Sequence, residues 1–365
     1  MRIGVMLRNL GEQGGIVVYA ANLLKNLFEI DSKNEYLLMY RDAKDLGYFS
    51  SRSNVKERVI SAPNKLWWDQ VSVPQVAKKE KLDLIFNPKL SIPLLTSCKT
   101  VWVMHGGAQF AVPHAFKLFD RIYFTIANRL YAKKASAIVT MTHLGSKDIV
   151  RYMGADSKKM HVIYEAYNEN CRVLKKEETD EVRAKYSLPE RFILFVGGLT
   201  PLKNFGNLLR AFKSVENEIP HHLVVVGWKR WKFSRDMKLL EELGLSDRVL
   251  FKGFASDEEI PAFFNLADLF AFPSIYEGFG IPALEAMACG CPVIASKTGC
   301  SPEVVGDAAG LVDPYDPDMI AECIQKILKD DALRQRLIDK GIERAKHFSW
   351  RKTATQTLSL FNSFD

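Results

Sequence analysis

Short, almost continuously apolar runs alternate with helical patterns twice along this chain, and that rhythm restricts the fold more than any other feature. In the first half the runs are 2–7, 36–40, 82–86, 100–104, 137–141 and 160–164, with helical periodicity over 15–30, 114–134 and 145–152. In the second half they are 192–196, 223–226, 248–251, 268–272, 292–295 and 310–312, with helices over 204–218, 257–266, 279–289 and 316–345. A strand that is apolar on both faces has to be covered on both faces, which is the condition of a parallel sheet between helices. Two such series predict an α/β chain of two doubly wound, Rossmann-like domains. The length of 365 residues agrees, since one hydrophobic core rarely serves so long a chain. The polar, charge-rich stretch 168–181 is the best linker, and 348–361 reads as a last amphipathic helix with no strand to follow. The expected domains are therefore 1–168 and 169–347, followed by a C-terminal helix, 348–365, that packs back toward the first domain.

Composition narrows the class. No run of about 18 apolar residues occurs, so no spanning helix is expected. The opening stretch is too short, and too soon interrupted by Arg8, for a signal peptide, so cytoplasm is the expected compartment. The six cysteines, Cys98, Cys171, Cys289, Cys291, Cys300 and Cys323, are scattered and form no disulfide framework. Cys289 and Cys291 lack a second pair or a histidine at zinc spacing, and read as small residues at a helix-to-strand corner. Charge is uneven. Residues 1–170 carry 24 Lys and Arg against 15 Asp and Glu, whereas residues 171–365 carry 26 against 28. A basic first half suits an anionic partner such as a membrane surface or a phosphorylated acceptor, or is simply a solvated face. No nucleic-acid module accompanies the charge, so nucleic acid is not an expected partner.

Doubly wound domains bind ligands at the carboxyl ends of their strands, so the loops there carry the chemistry. After the run 268–272 comes a loop holding Glu277, Gly278, Phe279 and Gly280, then Ile281, Pro282 and Glu285. The two glycines let backbone approach a ligand, and Pro282 suits the first turn of a helix. The free amides of that helix start form an anion site for a diphosphate or sugar hydroxyls. Two carboxylates facing phosphates would repel them, so Glu277 and Glu285 fit better as acceptors for the hydroxyls of a sugar and a ribose.

The pattern Glu277-x7-Glu285, running on through Cys289-Gly-Cys291-Pro-Val-Ile-Ala295, resembles the group 1 glycosyltransferases, the retaining family 4 of the GT-B fold. The likeness extends over nearly the whole chain: Gln13-Gly14-Gly15 with Tyr19, His105-Gly106, Val162-Ile-Tyr-Glu-Ala166, Phe195-Val-Gly197 with Lys203-Asn204, Val226-Gly227 and Phe348-Ser-Trp350. It implies two Rossmann-like domains with a cleft between them, the first on the acceptor side and the second binding the donor. It implies a catalytic set of His105, Lys203 and Glu277. Glu285 would bind the donor ribose, Glu277 the transferred sugar, and His105 would lie near the sugar's outer hydroxyls. Lys203 would neutralise the diphosphate, the backbone of Gly278, Phe279, Gly280 and Ile281 would wrap it, and Gly14 and Gly15 would close over it. Gly197 follows the first donor-side strand, and Phe254 falls in the loop that borders the base. The chain departs from the family at Gly198 and Leu202, where an arginine is common. One phosphate-binding cation is then missing, unless Lys229 or Arg230 substitutes.

The activity the resemblance implies is transfer of a mannose- or glucose-type hexose from a GDP- or UDP-sugar to a hydroxyl of a glycan or lipid-linked acceptor. The nucleotide sugar is a substrate, no cofactor or metal is expected, and no protein nucleophile is required. Asp316-x-Asp318 looks like a metal motif but suits a helix N-cap better. A nucleotide-sugar epimerase or a non-catalytic sugar-nucleotide binder stays open as an alternative. On the acceptor side, the helical stretch 114–134 carries Phe116, Phe119, Tyr123, Phe124, Ile126, Leu130 and Tyr131 beside Lys117, Arg121, Arg129, Lys133 and Lys134. It either packs on the core or lies on an anionic membrane as a peripheral contact. Trp67 and Trp68 either line the acceptor cleft or pack in the core.

Overall fold

The computed structural model describes residues 1–8, 15–49, 52–89, 91–113, 116, 118–227 and 234–365. Gly14, Lys229 and Arg230, singled out above, lie outside the described residues. The chain divides into two compact units, Met1–Glu165 with Ser349–Asp365, and Ala166–Phe348.

Among the described residues the first unit holds seven strands: β1 (Arg2–Leu7), β2 (Glu35–Tyr40), β3 (Val55–Val59), β4 (Leu84–Asn87), β5 (Lys99–Val103), β6 (Ala137–Thr140) and β7 (Met160–Val162). They form one parallel sheet in the order β3-β2-β1-β4-β5-β6-β7. The helix Gly15–Ile30 covers it by burying Tyr19, Leu23, Leu24, Leu27 and Phe28 on one face, an amphipathic pattern legible in the sequence. The C-terminal helix Trp350–Asn362 packs on that helix, with Trp350 6.0 Å from the Tyr19 ring and Phe361 5.1 Å from Phe86.

The second unit holds β8 (Phe192–Val196), β9 (His222–Val226), β10 (Val249–Gly253), β11 (Leu269–Phe272), β12 (Val293–Ser296) and β13 (Gly310–Val312) among its described residues. Their order is β10-β9-β8-β11-β12-β13, again all parallel. Strand order therefore reverses between β8 and β11, which opens a crevice at their carboxyl ends. The helices Phe205–Val215 and Pro317–Lys329 cover one face through Leu208, Leu209, Phe212, Ile320 and Ile324.

Three sequence readings need correction, and one left open is decided for Trp68. β3 was not expected; it is an edge strand whose three central residues, Lys56, Glu57 and Arg58, are all charged, so it lacks the apolar run of a central strand. The stretch 168–181 is not all linker, because a helix, Lys176–Lys185, starts inside it and packs on the helix Ile260–Leu266. Its polar surface hides it, since Thr179 is its buried residue. The helical stretch 316–345 is two helices, broken at Asp330, whose extended backbone ends one and whose carboxylate caps Leu333 N of the next. Trp68 is wholly buried, its indole N–H donating to Ile60 O at 3.0 Å, while Trp67 is exposed.

Close backbone packing marks the crevice edge. Gly197 follows β8 and Gly227 follows β9, with φ of +139° and +138°. A Cβ on Gly227 would stand 2.3 Å from the Gly197 carbonyl oxygen, which no side chain can tolerate. Gly244, at φ +66°, has open space instead. Gly227→Ala should cost more than about 2 kcal/mol in denaturant unfolding and Gly244→Ala only about 1 kcal/mol. Equal costs would show that the backbone approach does not constrain this edge.

Candidate functional site

The reversal point gathers residues from two separate loops. After β8, the chain passes Gly197 and makes a single 3-10 turn, Pro201–Lys203, before the helix Phe205–Val215. Lys203 thus closes a turn that precedes the helix. Asn204 makes the link, in the left-handed region at φ +59°. Its buried side-chain amide donates to Pro273 O at 3.0 Å and also to Pro314 O, and Ile275 N donates to Leu202 O at 2.8 Å. These bonds tie the lysine turn to the loop that leaves β11.

That loop brings Glu277 to Lys203. Lys203 Nζ lies 2.7 Å from Glu277 Oε1, with the two side chains 19% and 17% exposed. The approach is an ion-pair contact without directed hydrogen-bond geometry, and buried Oε1 accepts no hydrogen bond from the described residues. Nζ also stands 4.7 Å above the Phe272 ring at the end of β11, a cation–π contact. Gly197 forms the floor, since a Cβ there would come within 3.4 Å of Lys203 Cε. Lysine and glutamate are therefore largely desolvated, and each fixes where the other sits.

The helix Ile281–Ala288 starts at Gly280, whose φ of +100° favours glycine and whose lack of a side chain leaves the helix start without a side-chain cap. Below the loop, Cys300 Sγ donates toward Glu277 O at 3.1 Å and Phe279 O at 3.2 Å. Sequence reasoning assigned nothing to Cys300; its buried thiol braces the loop from beneath. Phe279 is buried and packs edge-on to Phe348 at 5.7 Å, so only its backbone is left for a ligand. Gly278 and Ile281 retain partial exposure, and Phe254, just past β10, is 48% exposed. Asp316 caps its helix by accepting from Asp318 N at 3.0 Å and Met319 N at 3.1 Å, a structural task that accounts for it.

Glu285, one turn into the helix, lives in a different setting from Glu277. Part of the residue reaches solvent, but its carboxyl is crowded by protein. Burial pushes its pKa up to about 7, helped by the charge of Asp257 and opposed by a hydrogen bond from the Asn168 amide.

In the first unit, His105 follows β5. Its Nδ1 lies 3.0 Å from Glu165 Oε1, and its Nε2 lies 2.8 Å from Pro88 O. Both partners are acceptors, so satisfying both takes a proton on each ring nitrogen or a proton on Glu165. The Tyr19 ring meets the imidazole edge-on at 4.8 Å. Tyr19 is fully buried, its hydroxyl has no hydrogen-bond partner among the described residues, and desolvation together with Glu165 holds its pKa far above the usual range. Gly15 opens the helix with no described atom within 4 Å of an added Cβ, so packing among the described residues does not demand a glycine there.

The raised Glu285 pKa has a signed consequence. The folded state holds this proton up to about pH 7, whereas the unfolded chain loses it in the ordinary carboxylate range. Stability therefore falls as pH rises between those values and is flat above them. Glu285→Gln removes the penalty. It should gain up to about 3 kcal/mol relative to the parent at about pH 8 and nothing at about pH 4. Urea unfolding at both pH values checks this, and a gain that does not depend on pH would contradict it.

Comparison with known proteins places these features. Residues 177–344 match the model of glycosyl transferases group 1. The serotype-specific mannosyltransferase WbdA of Escherichia coli is 32% identical over 353 residues, 91% of this chain. The match spans 43% of WbdA, so the chain covers less than half the length of that relative. Among solved structures, sucrose-phosphate synthase from Thermosynechococcus elongatus superposes with a TM-score of 0.82 at 22% identity, covering 99% of this chain and 98% of the other. Anabaena Alr3699/HepE in complex with UDP-glucose gives a TM-score of 0.79 at 20% identity, with all of both chains covered. At these identities the structures speak for the fold: two parallel-sheet α/β domains of the GT-B kind. The segment 177–344, which carries Lys203, Glu277 and Glu285, matches the group 1 glycosyl transferases.

Proposed function

We propose that this chain is a retaining hexosyltransferase that moves a mannose- or glucose-type sugar from a GDP- or UDP-hexose to a hydroxyl of a glycan or lipid-linked acceptor. The observation that carries this reading is the Lys203–Glu277 pair at the strand reversal. A nucleotide sugar brings two kinds of group, an anionic diphosphate and a set of neutral hydroxyls. The pair can separate to meet both: Lys203 takes the diphosphate, and Glu277, whose Oε1 accepts no hydrogen bond from the described residues, takes sugar hydroxyls. Amides at the start of the helix Ile281–Ala288 add to the anion side. WbdA, a mannosyltransferase, favours a mannose-type sugar, and the UDP-glucose held by Alr3699/HepE favours a nucleotide-sugar donor.

Charge builds on the leaving diphosphate as the glycosidic bond breaks, and a preorganised cation and amides aimed at it lower the barrier. The acceptor hydroxyl attacks on the leaving-group face, and the departing phosphate takes its proton. Retention follows without a protein nucleophile. Glu285 accepts from the ribose hydroxyls as a carboxylate, so donor affinity should strengthen as pH rises toward and past about 7. The resemblance assigns His105 to the sugar's outer hydroxyls and Gly14 and Gly15 to the diphosphate. Phe254 borders the base. Lys203 and the helix start carry the diphosphate despite Gly198 and Leu202, and no metal takes part. The enzyme works in the cytoplasm, peripherally at the inner face of the membrane; no helix among the described residues is long and apolar enough to cross one.

The test is incubation with GDP- and UDP-hexoses and lipid-linked or oligosaccharide acceptors. The expected outcome is acceptor-dependent release of nucleoside diphosphate, a product whose anomeric proton keeps the donor configuration, and full activity in a chelator. Inversion, sugar interconversion without transfer, or activity restored to chelated enzyme by manganese would each contradict it.

A further inference from the structure

The helix Leu118–Lys134 presents to solvent the kind of side chain that a surface helix normally buries. From Arg121 onward its exposed residues are Ile122, Tyr123, Ile126, Arg129, Leu130 and Lys133. Ile122 is 54% and Ile126 59% exposed. At the helical repeat these six fall within one arc of about 120°. Four large apolar side chains and two cations thus share a single face. The opposite face satisfies the packing of the unit. Asn128, Tyr131 and Ala132 are buried there, and Tyr131 and Ala132 join Trp102, Ile138 and Ile149 in one core cluster. The outer stripe is therefore not needed for folding.

Charge says what covers it. Residues 121–134 hold four Lys and Arg and no Asp or Glu. At the C-terminal end, Lys134 Nζ donates to Thr96 O at 2.8 Å, beside Leu95, which is 85% exposed. Lys159 Nζ donates to Lys133 O at 3.0 Å and brings another cation to the same end. A second copy laid on this stripe would set Arg129 and Lys133 against like charge or bury them unpaired. An anionic bilayer accepts both chemistries at once, acyl chains for the aliphatic groups and phosphates for the cations.

We infer that this helix docks on an anionic lipid bilayer, lying in the interfacial plane. Ile122, Ile126 and Leu130 enter the acyl boundary, Tyr123 sits at headgroup level, and Arg129 and Lys133 meet lipid phosphates. The inference leans on the transferase reading in one respect, that a lipid-linked acceptor gives the docking its use. The contact itself can be measured without transfer.

The test is co-sedimentation of the full chain with vesicles of phosphatidylcholine alone and of phosphatidylcholine with phosphatidylglycerol, at low and high salt. Two variants accompany it, Ile126→Asp with Leu130→Asp, and Arg129→Glu with Lys133→Glu. Thermal unfolding and nucleoside-diphosphate binding serve as checks on the fold and on the second unit. The parent should pellet with the anionic vesicles and be released by high salt. Each variant should bind them at least roughly tenfold more weakly, with unfolding and nucleotide binding unchanged. Failure of the parent to bind any vesicle, or binding indifferent to both variants, would overturn the inference. So would light scattering that shows a parent dimer split by Ile126→Asp with Leu130→Asp, since the stripe would then be covered by a second copy. Failure of the parent to bind nucleoside diphosphate, with its vesicle binding intact, would sink the transferase reading and leave the docking standing.

Discussion

Reversal of strand order between β8 and β11 is the constraint on which the second unit's chemistry depends. Parallel strands need crossover helices, and where the winding changes direction those helices diverge. The carboxyl ends of β8 and β11 are then left uncovered, and the loops that follow them face each other. Lys203 comes from one loop and Glu277 from the other, and their 2.7 Å contact joins the two sides. The joint is held from behind by Asn204, from the sheet by Phe272 and from below by Cys300. None of those three needs to touch a ligand to matter, because each fixes where the charged pair sits.

The two glutamates of the same loop and helix are differentiated by environment. Glu277 is partnered by a cation, while Glu285 meets mainly desolvation, which raises its pKa to about 7. A pair of carboxylates so treated could be mistaken for a glycosidase acid and base. In a doubly wound unit with a helix start between them, we propose that they read hydroxyl groups on two parts of one ligand. The first unit shows a comparable economy at His105, where both ring nitrogens face acceptors supplied by Glu165 and Pro88.

Much of this architecture is legible in the sequence because buried parallel strands are apolar on both faces. Phe192–Val196 and Arg2–Leu7 declare themselves in that way. What escapes is structure whose signal is polar or distant. The edge strand Val55–Val59 and the helix Lys176–Lys185 bury too little to show a period. Asp330 ends one helix and starts another inside a continuous helical pattern. The motif residues were legible one at a time, but not the Lys203–Glu277 pairing, which the sheet creates between residues far apart in sequence. The left-handed Asn204 and the brace from Cys300 carry no local signature either. Glutamate at 165 became informative only once it was seen against His105.

Calorimetric titration of the parent, Lys203→Met and Glu277→Gln with a nucleoside diphosphate and with its hexose conjugate tests most directly whether the pair divides its work between phosphate and sugar. Lys203→Met is predicted to weaken both ligands by roughly tenfold or more. Glu277→Gln is predicted to weaken the sugar conjugate alone and to leave the diphosphate bound at least as tightly, since a carboxylate that competes for Lys203 has been removed. Equal losses for both ligands in Glu277→Gln, or an unchanged diphosphate affinity in Lys203→Met, would contradict that division.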